Sequence, residues 1–216
     1  MITLPSHSKP KSCVSFWIDG LPGGSIDMSK KSNPLDAISD QLGNTQTTKG
    51  LPPVDQWNPP LSGDLDMQIR RDGSWWYLGT PIERPALVKL FASILKREGD
   101  DYFLVTPVEK WRIRVDDAPL LAVSVRQRTI DGQGVLEFET LTGDLVIADA
   151  THPIRVQINA VSGEPSPYVR VRRNLDALIQ RSAFYHLVEL AQPRETDAGT
   201  EWVVESAGQS FSLGRM

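Results

Sequence analysis

The segment Tyr168-Val169-Arg170-Val171-Arg172-Arg173-Asn174 concentrates the side chains best suited to holding an anion. Alternate residues of an extended strand share a face, so Tyr168, Arg170 and Arg172 point one way and Val169 and Val171 the other. A guanidinium offers a planar fork of donors matched to phosphate and carboxylate, and a tyrosine adds a stacking ring with a hydroxyl at its tip. Arg155, on the strand expected before this one, joins the group if the two strands pair in a suitable register. From His152 to His186 five arginines stand against two carboxylates, Glu164 and Asp176, an excess of three positive charges. Asn174 reads as the N-cap of a helix, whose free N–H groups and dipole favour anions. The chemistry in prospect is the binding of a phosphate-bearing ligand with a base stacked on Tyr168. The competing reading is a solvated strand face with surface ion pairs.

Other residues complete the candidate set. Glu109 and Lys110, within Thr106-Pro107-Val108-Glu109-Lys110-Trp111, either contact a ligand between domains or form a turn with exposed charges. His152 precedes Pro153 at the start of a strand, where a hydrogen-bonded structural role competes with ligand contact. His186 falls in an apolar stripe and reads as a satisfied core or interface histidine. Asp100-Asp101 and Asp116-Asp117 read as turn residues, because neighbours on a strand point to opposite faces and aspartate favours turns. The sequence contains no GxGxxG after a strand, no GxxxxGK[ST], no HExxH, no CxxC and no GxSxG. With Cys13 the single cysteine and His7, His152 and His186 the three histidines, neither a disulfide framework nor a multi-histidine metal site is expected. No catalytic residue, cofactor or metal is assigned. A carboxylate- or threonine-based enzyme would leave little trace, so enzymatic activity stays open behind a non-enzymatic binding role.

These residues need a scaffold to position them. The chain has 216 residues, enough for one large domain or two small ones. Its net charge of −4 argues against generic nucleic-acid binding. No apolar run is long enough for a membrane-spanning helix, and Cys13–Ile18 is too short for a secretion signal, so a cytoplasmic location is expected. Residues 1–50 are expected to be a flexible tail with a short helix over Pro34–Leu42. Met28 resembles a start, and residues 1–27 are expected to be dispensable for folding. The Pro-rich arm Leu51–Leu61 is expected to dock through Trp57. Strands are expected over Met67–Arg71 and Ser74–Leu78 around an Asp72-Gly73 turn. A helix from Pro85 follows, with Leu87, Phe91, Ile94 and Leu95 on one stripe and Gly99 as terminator. Asp101–Thr106 and Lys110–Val115 then complete a ββαββ unit.

Beyond Pro119, strands are expected over Leu121–Thr129, Val135–Leu141, Leu145–Ala148, Ile154–Ala160 and Tyr168–Arg172. A helix from Asn174 to about Leu190 and strands over Glu201–Glu205 and Ser210–Leu213 close the chain. That helix carries apolar residues on two sides, which predicts that Phe184 and Val188 are covered by something other than their own sheet. The expected fold class is α+β, with two small β-rich domains from a duplicated ββαββ unit over residues 51–118 and 119–216.

Several phrases carry a family likeness. They are Ile69-Arg70-Arg71-Asp72-Gly73, Leu78-Gly79-Thr80-Pro81-Ile82, Leu104-Val105-Thr106-Pro107-Val108-Glu109-Lys110, His152-Pro153-Ile154-Arg155-Val156 and Gly163-Glu164-Pro165-Ser166-Pro167-Tyr168-Val169. From about Leu51 to Leu213 the chain resembles the bacterial domain-of-unknown-function family twelve-eighty-five. The resemblance implies a duplicated two-domain architecture with a second, enlarged domain loosely like a pleckstrin-homology fold. It also implies a ligand site between the domains for a nucleotide-like molecule, and a link to signalling. A binding or sensor protein is therefore the first functional expectation. The alternative is an interaction module whose second helix face takes a protein partner or a second protomer.

Overall fold

In the computed structural model, which describes residues 50–161, 163–197 and 199–215, the alternation of Leu65, Met67 and Ile69 inward builds the first long strand, β1 (Leu61–Ile69). Gly73 takes φ +81°, and a Cβ there would stand 3.0 Å from that of Leu121. Only glycine therefore both turns the chain and lets this hairpin tip press on the second half of the molecule. The tip leads to β2 (Trp75–Tyr77) and β3 (Thr80–Pro81). Helix α1 (Pro85–Ser93) has Pro85 in its first turn, where a missing N–H costs nothing. Then come β4 (Leu95–Glu98), β5 (Asp101–Val105) and β6 (Lys110–Val115). These strands form one sheet in the order β3-β2-β1-β6-β5-β4. Its central pair, β1 and β6, is parallel, and all its other pairs are antiparallel.

The second sheet comprises β7 (Leu120–Ile130), β8 (Gln133–Thr140), β9 (Leu145–Ile147), β10 (Ile154–Ile158), β11 (Pro165–Arg172) and β12 (Leu175–Ile179). Its order is β10-β11-β12-β7-β8-β9, again with one parallel pair, β12 and β7, at the centre. Numbered from β7 and read from the opposite edge, this is the same 3-2-1-6-5-4 order. In each sheet two three-stranded meanders meet through their first and last strands. Helix α2 (Arg181–Glu189) follows, then a three-stranded antiparallel sheet of β13 (Gln192–Thr196), β14 (Gly199–Ser206) and β15 (Gln209–Arg215). Buried Ser206 ties that sheet to the second one. Its hydroxyl donates to the Ala148 carbonyl at 2.6 Å and accepts the Leu136 N–H at 2.8 Å.

This mostly β architecture corrects the expected α+β fold built on a repeated ββαββ unit. In the first sheet α1 joins two meanders; in the second a loop does so, and the helix comes after the sixth strand. The pleckstrin-homology likeness falls with it, since the second half is a six-stranded sheet with one helix and an appended small sheet. The expected helix over Asn174–Leu190 is two elements. Leu175–Ile179 is buried at every residue as the interior strand β12 between β11 and β7. A strand buried on both faces carries apolar residues on both, here broken only by the buried Asp176, and over five residues periodicity cannot separate it from a helix. The two apolar sides predicted for one helix were the two faces of this strand combined with the stripe of α2. Likewise α1 stops at Ser93, so Leu95 begins β4, and Gly99, at φ +61°, turns β4 into β5.

Beside a smaller cluster of Ala118, Leu121, Tyr168 and Leu178, the core is mainly one apolar cluster running from Val54 to Leu213 through both large sheets, with Phe91, Leu136, Phe138 and Leu187 fully enclosed. Each such side chain stabilises the fold by about 1.5–3 kcal/mol. Trp57 packs against this cluster, and its carbonyl accepts the Lys96 ammonium at 3.1 Å. Among the described residues no helix is long and apolar enough to cross a membrane. The expectations for the tail, the helix over Pro34–Leu42 and residues 1–27 fall in residues 1–49, outside those described.

Candidate functional site

Strand register sets which side chains meet. Arg155 lies opposite Tyr168, Tyr168 opposite Leu178, and Leu178 opposite Leu121, one row across β10, β11, β12 and β7. Arg170 lies opposite Asp176 in the next row on the same face. Arg155, Tyr168 and Arg170 are thus brought together. The Arg155 guanidinium lies 4.3 Å from the Tyr168 ring centre, a cation–π contact. Arg155 donates to one oxygen of Asp176 at 2.9 Å and Arg170 to the other at 2.5 Å. With the Asp176 side chain only 7% exposed, two guanidinium groups serve one buried carboxylate and leave one positive charge in excess.

Arg172 leaves this group. It binds the Asp144 carboxylate and donates to the Ala92 carbonyl at 2.6 Å, near the end of α1. Burial pushes its guanidinium down from the usual arginine range, opposed by the attraction of Asp144. Arg173 donates to Asp55 at 2.6 Å and to the Pro52 carbonyl at 3.3 Å, while the Asn174 amide donates to the Arg97 carbonyl at 3.1 Å. The β11–β12 turn, where Arg173 takes φ +51°, therefore clamps residues 52–97. Asn174 caps no helix, and the basic segment runs into a strand rather than a helix N-terminus.

The helix start lies at the far end of β12 and opens on a cleft of about 740 Å³. Leu121 and Leu178 from the row described above, Pro167, Arg71 of the β1–β2 tip, and Arg181, Phe184 and Tyr185 of α2 line it. Arg71 is held there by Asp117 at 2.7 Å and by the Ser166 hydroxyl at 2.9 Å. The Tyr168 hydroxyl in turn donates to Asp117 at 2.6 Å. Burial raises the Tyr168 pKa and the hydrogen bond to Asp117 adds to it, so the phenol stays a donor. The Arg181 side chain has no hydrogen bond or ion pair with another described residue, and no side chain caps the first turn of α2. Asp72 and Glu164 supply carboxylates to the lining. Hydrogen bonds from Ser74 hold the Asp72 carboxyl below its usual range.

The remaining candidates lie elsewhere. Lys110 starts β6, paired to Glu98 at 2.9 Å and facing the Phe103 ring at 4.9 Å. Glu109 accepts the Trp111 indole N–H at 3.4 Å. Asp117 lies just past the other end of β6, so Glu109 and Lys110 are displaced from it by ~20 Å of strand. His152 Nδ1 stands 2.9 Å from Asp149 Oδ1 in a tight turn before β10. Burial pushes the Asp149 carboxyl up, but hydrogen bonds from Thr151 and His152 outweigh it and hold the group low. His186 is no core residue: its side chain is 50% exposed and lies 3.2 Å from Glu189, because the short α2 turns it outward. Phe184 packs on the core, whereas Val188 is 43% exposed, so the predicted covering of both fails at Val188.

Sequence reasoning passed over Arg71, Asp117 and Arg181. Arg71 read as a strand end and Asp117 as half of an inert pair; only the tertiary approach of the hairpin tip joins them. Among the described residues no cluster of histidine, cysteine or carboxylate side chains could hold a metal.

Comparison with known proteins supplies the wider context. Residues 52–118 match "Domain of unknown function (DUF1285), N-terminal domain" and residues 119–213 match "Protein of unknown function (DUF1285), C-terminal domain". A crystal structure of a DUF1285 family protein from Silicibacter pomeroyi DSS-3 is 47% identical, covering 82% of this chain and 95% of that one, with a TM-score of 0.72. Another, from Shewanella baltica OS155, is 34% identical over 58% of this chain and 91% of that one, with a TM-score of 0.46. A search of curated proteins gave no match. With both family domains matched in sequence order and a relative of the same fold at this identity, the chain belongs to the DUF1285 family.

Proposed function

We propose that this protein is a non-enzymatic binding or sensor protein that takes an anionic, nucleotide-like small molecule into the cleft at the start of α2. The observation that carries the reading is the cleft itself. Its volume of about 740 Å³ suits a ligand of that size, and it draws Arg71 from one family domain and Arg181 with Phe184 and Tyr185 from the other. In this reading a phosphate lies against Arg181 and the uncapped first turn of α2. A base lies between the Leu121–Leu178 floor and the aromatic side chains, and sugar hydroxyls or amino groups donate to Asp72 and Glu164. The excess charge of Arg155 and Arg170 on the same sheet face adds longer-range attraction. A ligand touching both Arg71 and α2 would bear on both domains at once, which is what a sensor requires.

Thermal unfolding against a panel of nucleotides and phosphorylated metabolites tests the reading. A selective ligand stabilises the native state by about 2.7 kcal/mol at one hundred times its Kd. Arg181→Gln should remove most of that shift while leaving the unliganded midpoint nearly unchanged, and Arg71→Gln should remove most of it as well. No stabilisation by any member, or equal shifts in both variants, would refute it. A second reading, a surface for a protein partner or second copy, rests on Tyr185 and Val188. They stand one turn apart on α2 and are 59% and 43% exposed. Concentration-dependent self-association lost in Val188→Asp would favour it.

A further inference from the structure

A second recess, of about 430 Å³, lies between α1 with its preceding loop and the turn joining β8 to β9. Its walls are apolar: Trp75, Pro81, Ile82, Ala86, Val88 and Leu141. Leu141, 55% exposed, leaves much of its surface uncovered beside Trp75, which is buried. The recess also has a single cation. Lys89, one turn along α1 from the loop, has no hydrogen bond or ion pair with another described residue, and its ammonium lies where a Cβ on Gly143 would be 3.5 Å away. The ammonium therefore stands between the two elements that form the recess. A strongly hydrated lysine head beside an apolar trough suits a ligand with one anionic end and a hydrocarbon body. Glu83 on the same lining disfavours a second negative charge, which selects a monoanion over a dicarboxylate or a phosphate ester.

We infer that this recess binds an aliphatic monocarboxylate, with its chain along Ile82, Val88 and Leu141 and its carboxylate on Lys89. The site lies on the other side of the β1–β2 tip from the α2 cleft: Arg71 and Asp72 face that cleft, and Gly73, Ser74 and Trp75 face this recess. Calorimetric titration of the full chain with decanoate, 1-decanol and decylamine tests it. Decanoate should bind more tightly than either. Lys89→Gln, an exposed change that leaves the melting temperature in place, should weaken decanoate by about tenfold, the scale of one charge-assisted hydrogen bond. Leu141→Asp should abolish binding, Glu83→Gln should tighten it, and Arg126→Gln, far from this lining, should leave it unaltered. Absence of decanoate binding, equal binding of 1-decanol, or an unchanged affinity in Lys89→Gln would each overturn the assignment.

Discussion

Replacing Arg172 by Met removes the best-enclosed charge of the clamp between the two halves while keeping most of its apolar stem. The Arg172 side chain is 11% exposed and that of Asp144 19%. Breaking one side of a buried ion pair costs about 3–5 kcal/mol, mostly because the other charge is stranded. Asp144 keeps hydroxyl donors from Thr140 at 3.0 Å and Thr142 at 2.8 Å, so the lower end applies. The Ala92 carbonyl also loses its donor, within the same total. Arg172→Met should therefore cost about 3 kcal/mol, against a total stability of about 5–15 kcal/mol for a folded domain. The double variant Arg172→Met with Asp144→Asn should be less destabilised than the sum of the single changes, by up to about 2 kcal/mol. Urea unfolding followed by tryptophan fluorescence and by circular dichroism measures both quantities. The two probes should coincide in the wild type and in Arg172→Met, because Arg173 and Asn174 still join the halves. A loss below about 1 kcal/mol, or strict additivity, would show that Arg172 and Asp144 act as a solvent-screened surface pair.

The outer arginine should behave differently: Arg155 is 40% exposed and Arg170 also serves Asp176, so Arg155→Gln should cost at most about 1 kcal/mol by urea midpoint. Ile179→Ala, in the interior strand β12, should cost about 2–5 kcal/mol; a surface-like loss in urea would contradict its burial. Hydrogen bonding from Lys110, with help from Lys96, lowers the Glu98 pKa from 4.5 despite partial desolvation. That stability is present above the unfolded value and lost as pH falls through the folded one, so Glu98→Gln should flatten the acid side of the melting-temperature profile below about pH 4.5. Tyr168 is raised from 10.0 by burial and by Asp117; its contribution is present below that pH and lost as pH rises through the folded value. Tyr168→Phe should therefore lose stability at neutral pH and show a shallower alkaline decline.

Much of the strand content was legible because alternation and turn chemistry agree locally. Lys110–Val115 was expected as a strand and is β6, and the Asp72-Gly73 hairpin forms where the turn signal placed it. The two-residue β3 carries too little pattern to be read. Strand β12 was read as helix because Leu175, Leu178 and Ile179 fall on the same helical stripe as Ala183 and Leu187, and β4 because Leu95 continues the stripe of Phe91 at i+4. Those errors, with β3 and β13 (Gln192–Thr196) passed over, hid the shared sheet order and produced the ββαββ repeat. For the site, alternation brought Tyr168 and Arg170 together, and register added Arg155. It could not show that Arg172 turns away to Asp144. Nor could it show that Arg71, some hundred residues earlier, reaches the Tyr168 hydroxyl through Asp117, because partners across a fold leave no spacing in the chain.

Backbone-amide NMR spectra recorded while inorganic phosphate and then adenosine monophosphate are added locate the ligand on the protein residue by residue. Saturable shifts should gather on Arg71, Asp72, Glu164, Ser166 and residues 178–185, be larger for the nucleotide, and vanish in Arg181→Gln. Shifts confined to other surfaces, or unchanged in Arg181→Gln, would contradict the assignment of the α2 cleft as the ligand site.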